Sequence, residues 1–255
     1  MTGSELLKIS HFLRRCHLKP DGYGIVYGVG VGPGEPGLIT VKALSVIREA
    51  DVIVIPSSPP DSCRAYCIVQ AVMPEIAQKE LLALDFPMGG GKEARERYHK
   101  EAAERLAVLS GQGKNSAFLV IGDPSIYSTF TYVAGILDEM GIPTKSVCGT
   151  ASFLAAASAL GIPLVEKDEM LHVLPGSADV EEGLKLPGTK VFMKNKSSFP
   201  RLLSLLREEE SAGHIFVKAV SACGMPDETL YESASEIPEH APYLTIVIVK
   251  DRFTE

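Results

Sequence analysis

YGVGVGPGEPGLITVKALSVIREADVIVIP, residues 27–56, is the stretch that decides how this chain folds. It predicts a strand over residues 25–31, a glycine-rich turn over residues 32–37, a helix over residues 40–49 and a second strand over residues 52–55. The first helical residue is a threonine able to cap the helix, and apolar residues recur along one helical face. The stretch therefore opens an α/β domain with a β-α-β unit.

The glycine-rich turn contains the spacing G-x-G-x-x-G at Gly32, Gly34 and Gly37, a formal fingerprint of dinucleotide binding. Pro33 and Pro36 each remove a backbone N–H that a pyrophosphate would need. The second strand also runs into Pro-Ser-Ser, so no carboxylate follows it to bind a ribose hydroxyl. A nucleotide-binding oxidoreductase or a non-catalytic binding module stays an alternative that this motif supports poorly.

The composition argues against several classes of protein. The 255 residues are 45% hydrophobic, enough for one large domain or two of ordinary size. No apolar run approaches the roughly 20 residues of a membrane span, and the N-terminus lacks the basic-then-apolar order of a signal peptide. We therefore expect a cytoplasmic protein with no membrane partner. The net charge of −7 argues against a nucleic-acid surface.

Neither the cysteines nor the histidines have the spacing of metal ligands. The 5 cysteines include no C-x-x-C, and the 6 histidines include no H-x-x-x-H. We therefore expect no metal site and no disulfide framework. The sequence also lacks G-x-S-x-G and a Walker lysine, so nucleophilic catalysis and phosphoryl transfer have no support.

The pattern of strands and helices restarts near Thr144, which predicts two α/β domains. We expect an N-terminal extension over residues 1–23, a first domain over residues 24–143 and a second over residues 144–255. A continuous apolar strand over residues 116–121 has the character of a buried strand in a parallel sheet. The second domain alternates strands and helices before an end that is richer in strands.

Small or proline-containing turns follow several of the predicted strands. They are Gly32-Pro33-Gly34, Gly122-Asp123-Pro124, Gly149-Thr150-Ala151-Ser152 and Pro175-Gly176-Ser177. Ligands of open α/β sheets collect at the carboxyl ends of strands, where small residues let them approach the backbone. The turns could line one cleft, or they could be tight connections only. Asp123 could likewise be catalytic or an ordinary turn residue before proline.

Further segments follow the opening stretch: IGDPSIYST (residues 121–129), GTASFLAAASALGIPL (149–164), VFMK (191–194), GMPDE (224–228) and PYLTIVIV (242–249). Together with that stretch they resemble the tetrapyrrole methylase family, whose members methylate corrin and siroheme precursors, diphthine or a ribosomal RNA ribose with S-adenosylmethionine. The resemblance covers nearly the whole chain from about Tyr27. It implies two α/β domains with the cofactor in the cleft between them, S-adenosylhomocysteine as a product, and a homodimer.

The resemblance also points to one branch of the family. DFPM (residues 85–88), the tyrosine of IGDPSIYST and GMPDE are similar to the branch that methylates carbon 20 of precorrin-2 or cobalt-factor II in cobalamin biosynthesis. Another carbon of a corrin precursor, uroporphyrinogen III or diphthine stays an alternative acceptor. The sequence does not distinguish the metal-free tetrapyrrole from its cobalt complex.

Carried over position by position, the resemblance implies a set of contacts. The cofactor contacts are Pro33, Ile121, Gly122, Asp123, Ile126, Ala151, Ser152, Met193, Ala222 and Thr245. The expected substrate contacts are Asp85, Met88, Arg95, Tyr127 and Lys194, with Lys92, Lys196 and Arg201 as further cations near the cleft-facing loops. The base is unassigned among Asp85, Tyr127 and a substrate carboxylate. Cys148-Gly149-Thr150 departs from the usual Pro-Gly-Ile or Pro-Gly-Val.

Overall fold

The computed structural model describes residues 22–87, 91–194 and 198–252. Nearly all of the extension expected over residues 1–23 lies outside the described residues, as do Met88 and Lys196. The chain divides into two compact units, which confirms the prediction of a two-domain α/β fold. The first unit runs to Thr150, except that Pro33–Glu35 belong to the second unit together with the residues from Ala151 onward.

The first unit is a parallel sheet with helical connections. Its elements are β1 (Val26–Gly30), α1 (Val41–Glu49), β2 (Val52–Ile55), α2 (Arg64–Val72), β3 (Glu80–Ala83), α3 (Gly91–Gly111), β4 (Ser116–Val120), α4 (Thr129–Glu139) and β5 (Thr144–Val147). Among the described residues the strand order is β3-β2-β4-β1-β5, and every pairing is parallel. As the sequence predicts, Thr40 caps α1, where its side chain accepts a hydrogen bond from the Ala43 amide at 3.1 Å.

The connections leave the neighbouring strands β1 and β4 in opposite directions. From β1 the chain crosses to β2, whereas from β4 it crosses to β5 on the other side. Such connections are right-handed, so α1 and α4 lie on opposite faces of the sheet. On the α4 face, Phe118 and Phe130 are buried in one core with Leu106 of α3. The chain therefore leaves β1 and β4 toward opposite faces at the carboxyl edge, where open α/β sheets bind ligands. The two loops stay joined at that edge by an antiparallel bridge between Gly32 and Gly122.

The second unit has a mixed sheet. Its elements are α5 (Ser152–Ala159), β6 (Leu171–Pro175), α6 (Val180–Leu184), β7 (Thr189–Met193), α7 (Phe199–Ser211), β8 (Ile215–Ser221), β9 (Thr229–Tyr231) and β10 (Thr245–Asp251). The order is β6-β7-β10-β8-β9 within the described part of the chain. The pairing of β6 with β7 is the only parallel one there. β10 lies between β7 and β8 and pairs antiparallel with both, and β9 pairs antiparallel with β8.

A buried charge anchors the start of β7 to the end of β10. The Lys190 side chain has no exposed surface and donates a hydrogen bond to the Leu186 carbonyl at 2.9 Å. It also forms an ion pair with Asp251, whose other carboxylate oxygen accepts from the Gly188 amide at 2.8 Å. The buried charge of Lys190 is tolerated because its Nζ atom has both a carbonyl and a carboxylate partner. Removing either member of the ion pair would therefore be strongly destabilising.

Three details differ from the sequence prediction. The boundary expected before Thr144 falls too early, because β5 pairs with β1 and so belongs to the first sheet. The apolar run ELLALDFPM predicts a short strand over residues 80–88, whereas the pairing with β2 stops at Ala83. The short strand β9 was not predicted, because its three residues are too few to show a period.

Gly28 in the middle of β1 allows α4 to pack against the sheet. A Cβ at this position would lie 2.2 Å from a ring carbon of Phe130, far closer than van der Waals contact allows. The Phe130 ring is itself 2% exposed and packs against Phe118, with ring centroids 5.7 Å apart. The ring therefore has little room to move away from a larger side chain.

We expect Gly28→Ala to lower the free energy of unfolding by about 1–3 kcal/mol through overpacking. The measurement is the urea midpoint of the purified variant, with Gly135→Ala as a matched control. A Cβ on Gly135 would meet nothing within 4 Å in the exposed face of α4, so this control should gain about 0.5–1 kcal/mol from helix propensity. A Gly28→Ala variant as stable as the parent would contradict the packing argument.

Candidate functional site

Three backbone segments meet at the carboxyl edge of the first sheet. A Cβ on Gly149 would lie 2.2 Å from the Gly122 carbonyl oxygen and 2.8 Å from the Gly30 Cα. A Cβ on Gly30 would lie 2.6 Å from the same carbonyl oxygen. The loops after β1, β4 and β5 therefore touch through their backbones, and no side chain fits between them. We call residues 36–40, 121–128 and 148–150 the first-sheet loop cluster.

Asp123 joins two of these loops through its carboxylate. Oδ1 accepts a hydrogen bond from the Ser125 amide at 2.8 Å and another from the Ser125 hydroxyl, and Oδ2 accepts from the Gly149 amide at 2.9 Å. Burial opposes ionisation, but the hydrogen bonds from Ser125, Cys148 and Gly149 outweigh it and lower the pKa of Asp123. Asp123 is thus a charged acceptor whose oxygens bind the protein's own loops.

Two threonine hydroxyls tie the loop after β5 to the loop after β1. The Thr150 hydroxyl donates to the Leu38 carbonyl at 3.0 Å, and the Thr40 hydroxyl donates to the Cys148 carbonyl at 3.3 Å. The loop over residues 148–150 is consequently held to both other loops, by Asp123 and by these hydroxyls. The sequence showed polar residues here, but not that they bond across more than 100 residues.

Cys148 is an exposed thiol beside Asp123. Its hydrogen bond to the Asp123 carboxylate, together with burial and the negative charge of that carboxylate, raises the pKa of the Cys148 thiol. At neutral pH the group is therefore a protonated thiol, which is a poor nucleophile.

Met193, Ala222 and Thr245 lie at one edge of the second sheet. Met193 ends β7, Ala222 follows β8, and Thr245 begins β10 and pairs with Ser221 at the end of β8. The buried hydroxyls of Ser221 and Thr245 are 2.6 Å apart. The antiparallel return of β10 is what brings its first residue to the same edge as the last residues of β7 and β8.

The segment Pro33–Glu35 packs against the residues that follow Ala222. A Cβ on Gly34 would lie 2.2 Å from the Cys223 carbonyl oxygen, and one on Gly224 would lie 2.4 Å from the Glu35 amide nitrogen. Burial, with the nearby Glu228 and Glu35, raises the pKa of the Cys223 thiol to about 11. The predicted contact Pro33 is buried in this packed segment, close in the fold to Ala222.

Backbone strain concentrates at the predicted site residues. Among the described non-glycine residues, φ is positive at Tyr127 (48°), Lys194 (58°), Ala222 (50°) and Lys167 (48°). The first three are predicted contacts that follow β4, β7 and β8 respectively, and Lys167 is not. Residues other than glycine rarely adopt this backbone conformation, and those held in it cluster at ligand sites. No sequence signal indicated the strain, because none of these residues is a glycine.

The remaining predicted contacts lie as follows. Ile121 and Ile126 are half-buried in the loop after β4. Ala151 is at the N-cap position of α5, and Ser152 is the first residue of that helix. Asp85 is exposed beyond β3, and Arg95 is exposed on α3. Two of the additional cations have carboxylate partners, since Arg201 pairs with Glu181 and Lys92 lies 3.8 Å from Glu96. The Nε atom of Arg95 donates to the Gly91 carbonyl at 3.2 Å.

In residues 22–87, 91–194 and 198–252, no three His, Cys, Asp or Glu side chains are placed to hold a metal ion. Within the same ranges, no helix has the length and apolar character needed to cross a membrane.

We expect Asp123→Asn to speed the alkylation of Cys148. Removing the charge lowers the thiol pKa toward its ordinary value, so more thiolate is present at pH 8 and alkylation should be about three- to tenfold faster. Timed iodoacetamide labelling with peptide mass analysis measures the rate. Cys67 is the internal control, because it is also exposed and the pKa of its thiol is raised by burial and by Cys63 and Asp61. An unchanged rate at Cys148 would contradict the coupling to Asp123.

Comparison with known proteins places this fold and sequence in one family. The family model for tetrapyrrole (corrin/porphyrin) methylases matches residues 25–238. The chain is 36% identical over 228 residues to the "Probable cobalt-precorrin-2 C(20)-methyltransferase" of Methanocaldococcus jannaschii, covering 88% of this chain and 95% of that protein. It is 28% identical to the precorrin-2 C(20)-methyltransferase of a Sinorhizobium species, covering 91% and 98% of the two chains.

A solved structure shows the same fold. It is the uroporphyrin-III C-methyltransferase of Thermus thermophilus complexed with S-adenosylhomocysteine, which superposes with a TM-score of 0.62 at 22% identity and covers 89% of this chain and 97% of that one. The family model matches most of the sequence, and the parallel and mixed sheets agree with the fold of such enzymes. The chain belongs to the tetrapyrrole (corrin/porphyrin) methylase family.

Proposed function

We propose that this protein transfers a methyl group from S-adenosylmethionine to carbon 20 of precorrin-2 or of its cobalt complex in cobalamin biosynthesis. The observation that carries the proposal is the 36% identity to a relative named for that reaction, which extends over 95% of the relative's length. Similarity over the whole length means that both units, with the loops at their sheet edges, have counterparts in the relative.

The proposed cofactor contacts come from both units. In the first unit they are Ile121, Gly122, Ile126 and the backbone of Asp123, all in the loop after β4. In the second they are Pro33, Ala151, Ser152, Met193, Ala222 and Thr245. The fit is supported by the small residues at these strand ends, by the strained backbone at Ala222, and by the apolar character of Met193, which is buried at the end of β7.

The protein's own part in the reaction is to orient the reactants and to exclude water. Bound S-adenosylmethionine supplies a methyl group on a sulfonium, which is electrophilic without help from an acid. The loops of the first unit are fixed by backbone contacts and by Asp123, so they can hold a ligand in one geometry. A pre-organised site of this kind accelerates a transfer without a nucleophilic side chain.

The proton released from the acceptor carbon needs a base. Burial raises the pKa of the Tyr127 phenol, so at neutral pH this side chain is protonated and suited to donating a hydrogen bond. The Asp85 carboxylate is exposed beyond β3 and can accept a proton, as can a carboxylate of the substrate. Tyr127 is therefore the weakest of the candidates that the sequence left open.

The tetrapyrrole carries many carboxylates, so its binding requires local positive charge on a protein whose net charge is −7. On α3, Lys92, Arg97 and Lys100 each lie within 4.0 Å of a glutamate one turn further on. Within the described part of the chain, Arg95 instead has no carboxylate partner and donates through Nε alone, to the Gly91 carbonyl, which leaves four of its five N–H donors for a ligand. Arg95 and Lys194 are our proposed tetrapyrrole contacts, and Met88 is a third from the resemblance alone.

The homodimer and the cytoplasmic location expected from the sequence stay predictions. The choice between precorrin-2 and its cobalt complex is also left to experiment, since the relatives named above include one of each kind.

The reaction is tested by an anaerobic assay with S-adenosylmethionine and precorrin-2, with and without cobalt, followed by mass and absorption spectroscopy of the tetrapyrrole. We expect one added methyl group at carbon 20, located by NMR of a carbon-13-methyl product, and a preference for one form of the substrate. Methylation at another carbon, or of uroporphyrinogen III or diphthine in parallel assays, would replace the proposal. No transfer to any of these acceptors would contradict it.

We expect Arg95→Ala to raise the KM for the tetrapyrrole about tenfold, because a hydrogen bond to a charged group is lost. The dissociation constant for S-adenosylhomocysteine should stay unchanged. Arg97→Ala is the matched control, since Arg97 lies on the same helix but contacts Glu101 and the Tyr98 ring. Equal effects of the two substitutions, or an equal loss of cofactor binding, would show that Arg95 does not contact the substrate.

A further inference from the structure

We infer that Asp123 and Thr150 are positioning residues, whose side chains hold the loop over residues 148–150 in place and set the affinity for the cofactor without themselves touching it. The inference rests on the proposed function for its reference to S-adenosylmethionine. It differs from the role that the resemblance implies for Asp123, which is a direct contact with the methionine and ribose portion of the cofactor.

The carboxylate of Asp123 is occupied by hydrogen bonds from the protein itself. Its two oxygens receive the Ser125 amide, the Ser125 hydroxyl and the Gly149 amide, and the Cys148 thiol is a further donor to it. A carboxylate has about four lone-pair positions, so these donors nearly use up its capacity. Little capacity is left for hydrogen bonds to the hydroxyl groups of a ribose. The carboxylate instead ties the loop that contains Gly122 to the loop that contains Gly149.

Thr150 restrains the same loop through a different neighbour. Its hydroxyl donates to the Leu38 carbonyl in the loop after β1, while Asp123 belongs to the loop after β4. β1 lies between β4 and β5 in the sheet. The loop after β5 is therefore anchored to both other loops of the cluster, with the Thr40 hydroxyl on the Cys148 carbonyl as a further bond to the loop after β1. Losing either the Asp123 or the Thr150 anchor loosens it.

The close packing of Gly122 against Gly149 makes this position matter for the proposed ligand. The Gly149 backbone is so near the Gly122 carbonyl that a Cβ would overlap it, so movement of the one loop moves the other. Gly122 and its neighbours Ile121 and Ile126 are proposed cofactor contacts. Loosening the loop after β5 should consequently weaken cofactor binding, although neither the Asp123 carboxylate nor the Thr150 side chain meets the ligand.

The test compares Asp123→Ala and Thr150→Val in two measurements. The first is amide hydrogen exchange of the peptide over residues 147–152 in the ligand-free protein, which a residue that only contacts ligand would not change. We expect exchange to become about tenfold faster in each variant. The second is the dissociation constant of S-adenosylhomocysteine by calorimetry, which we expect to rise about five- to twentyfold.

Two further variants separate positioning from a general loss of stability. Thr150→Ser keeps the hydroxyl and should restore both values, whereas Thr150→Val keeps the shape and lacks the hydroxyl. Ser110→Ala is the matched control, because the Ser110 hydroxyl donates to the Gly24 carbonyl at 2.6 Å at the amino-terminal end of β1, away from the loops. It should change neither the exchange of residues 147–152 nor the affinity. The double variant should lose less affinity than the product of the single losses, because either change already releases the loop.

Each outcome decides the inference. Unchanged exchange in both variants, or equal effects from Ser110→Ala, would overturn it. Faster exchange with unchanged affinity would also overturn it, since the loop would then have no role in binding. If the parent protein bound no S-adenosylhomocysteine, the proposed function would fail. The exchange data need no ligand, so they would still show whether these two side chains hold the loop.

Discussion

The contact of three backbone segments at Gly30, Gly122 and Gly149 is the constraint on which the carboxyl edge of the first sheet depends. Backbone carbonyl and Cα atoms there occupy the space that Cβ atoms on these glycines would need. The loops after β1, β4 and β5 therefore contact one another directly, with no side chain between them. Close-packed backbone cannot be adjusted by a rotamer change, and one loop cannot shift alone. Asp123 adds a charged acceptor to this contact and pairs an amide of the loop after β5.

In the second unit, different contacts close the edge of the sheet at which the predicted site residues lie. Its sheet is mixed, so the edge is formed by the ends of β7 and β8 together with the beginning of β10. The Ser221 and Thr245 hydroxyls satisfy one another at this edge, and Pro33–Glu35 pack against Cys223 and Gly224. The edge is thus closed by a hydroxyl pair and by a segment from far along the chain, rather than by glycine contacts within one sheet.

The titratable groups of the first-sheet loop cluster suit a site that orients rather than shuttles protons. The pKa of Asp123 is lowered, whereas the pKa values of Tyr127 and Cys148 are raised. Each of the three therefore keeps one protonation state near neutral pH. General acid–base catalysis favours a pKa close to the working pH, so these groups are better suited to holding a fixed field and geometry. Transfer from an electrophilic methyl donor requires little more from the protein.

The sequence by itself determined the opening β-α-β unit, the Thr40 cap, nearly all of the element types and the family, because periodicity, capping and turn chemistry are properties of neighbouring residues. It also indicated the small residues at strand ends where the candidate site lies. It could not show that β5 joins the first sheet, that Pro33–Glu35 belong to the second unit, or that Tyr127 and Lys194 have a strained backbone. Only the tertiary structure decided that Asp123 binds the Gly149 amide and that Thr150 binds the Leu38 carbonyl. Such bonds join residues far apart in the chain, and they form only where strand order and packing bring the loops together.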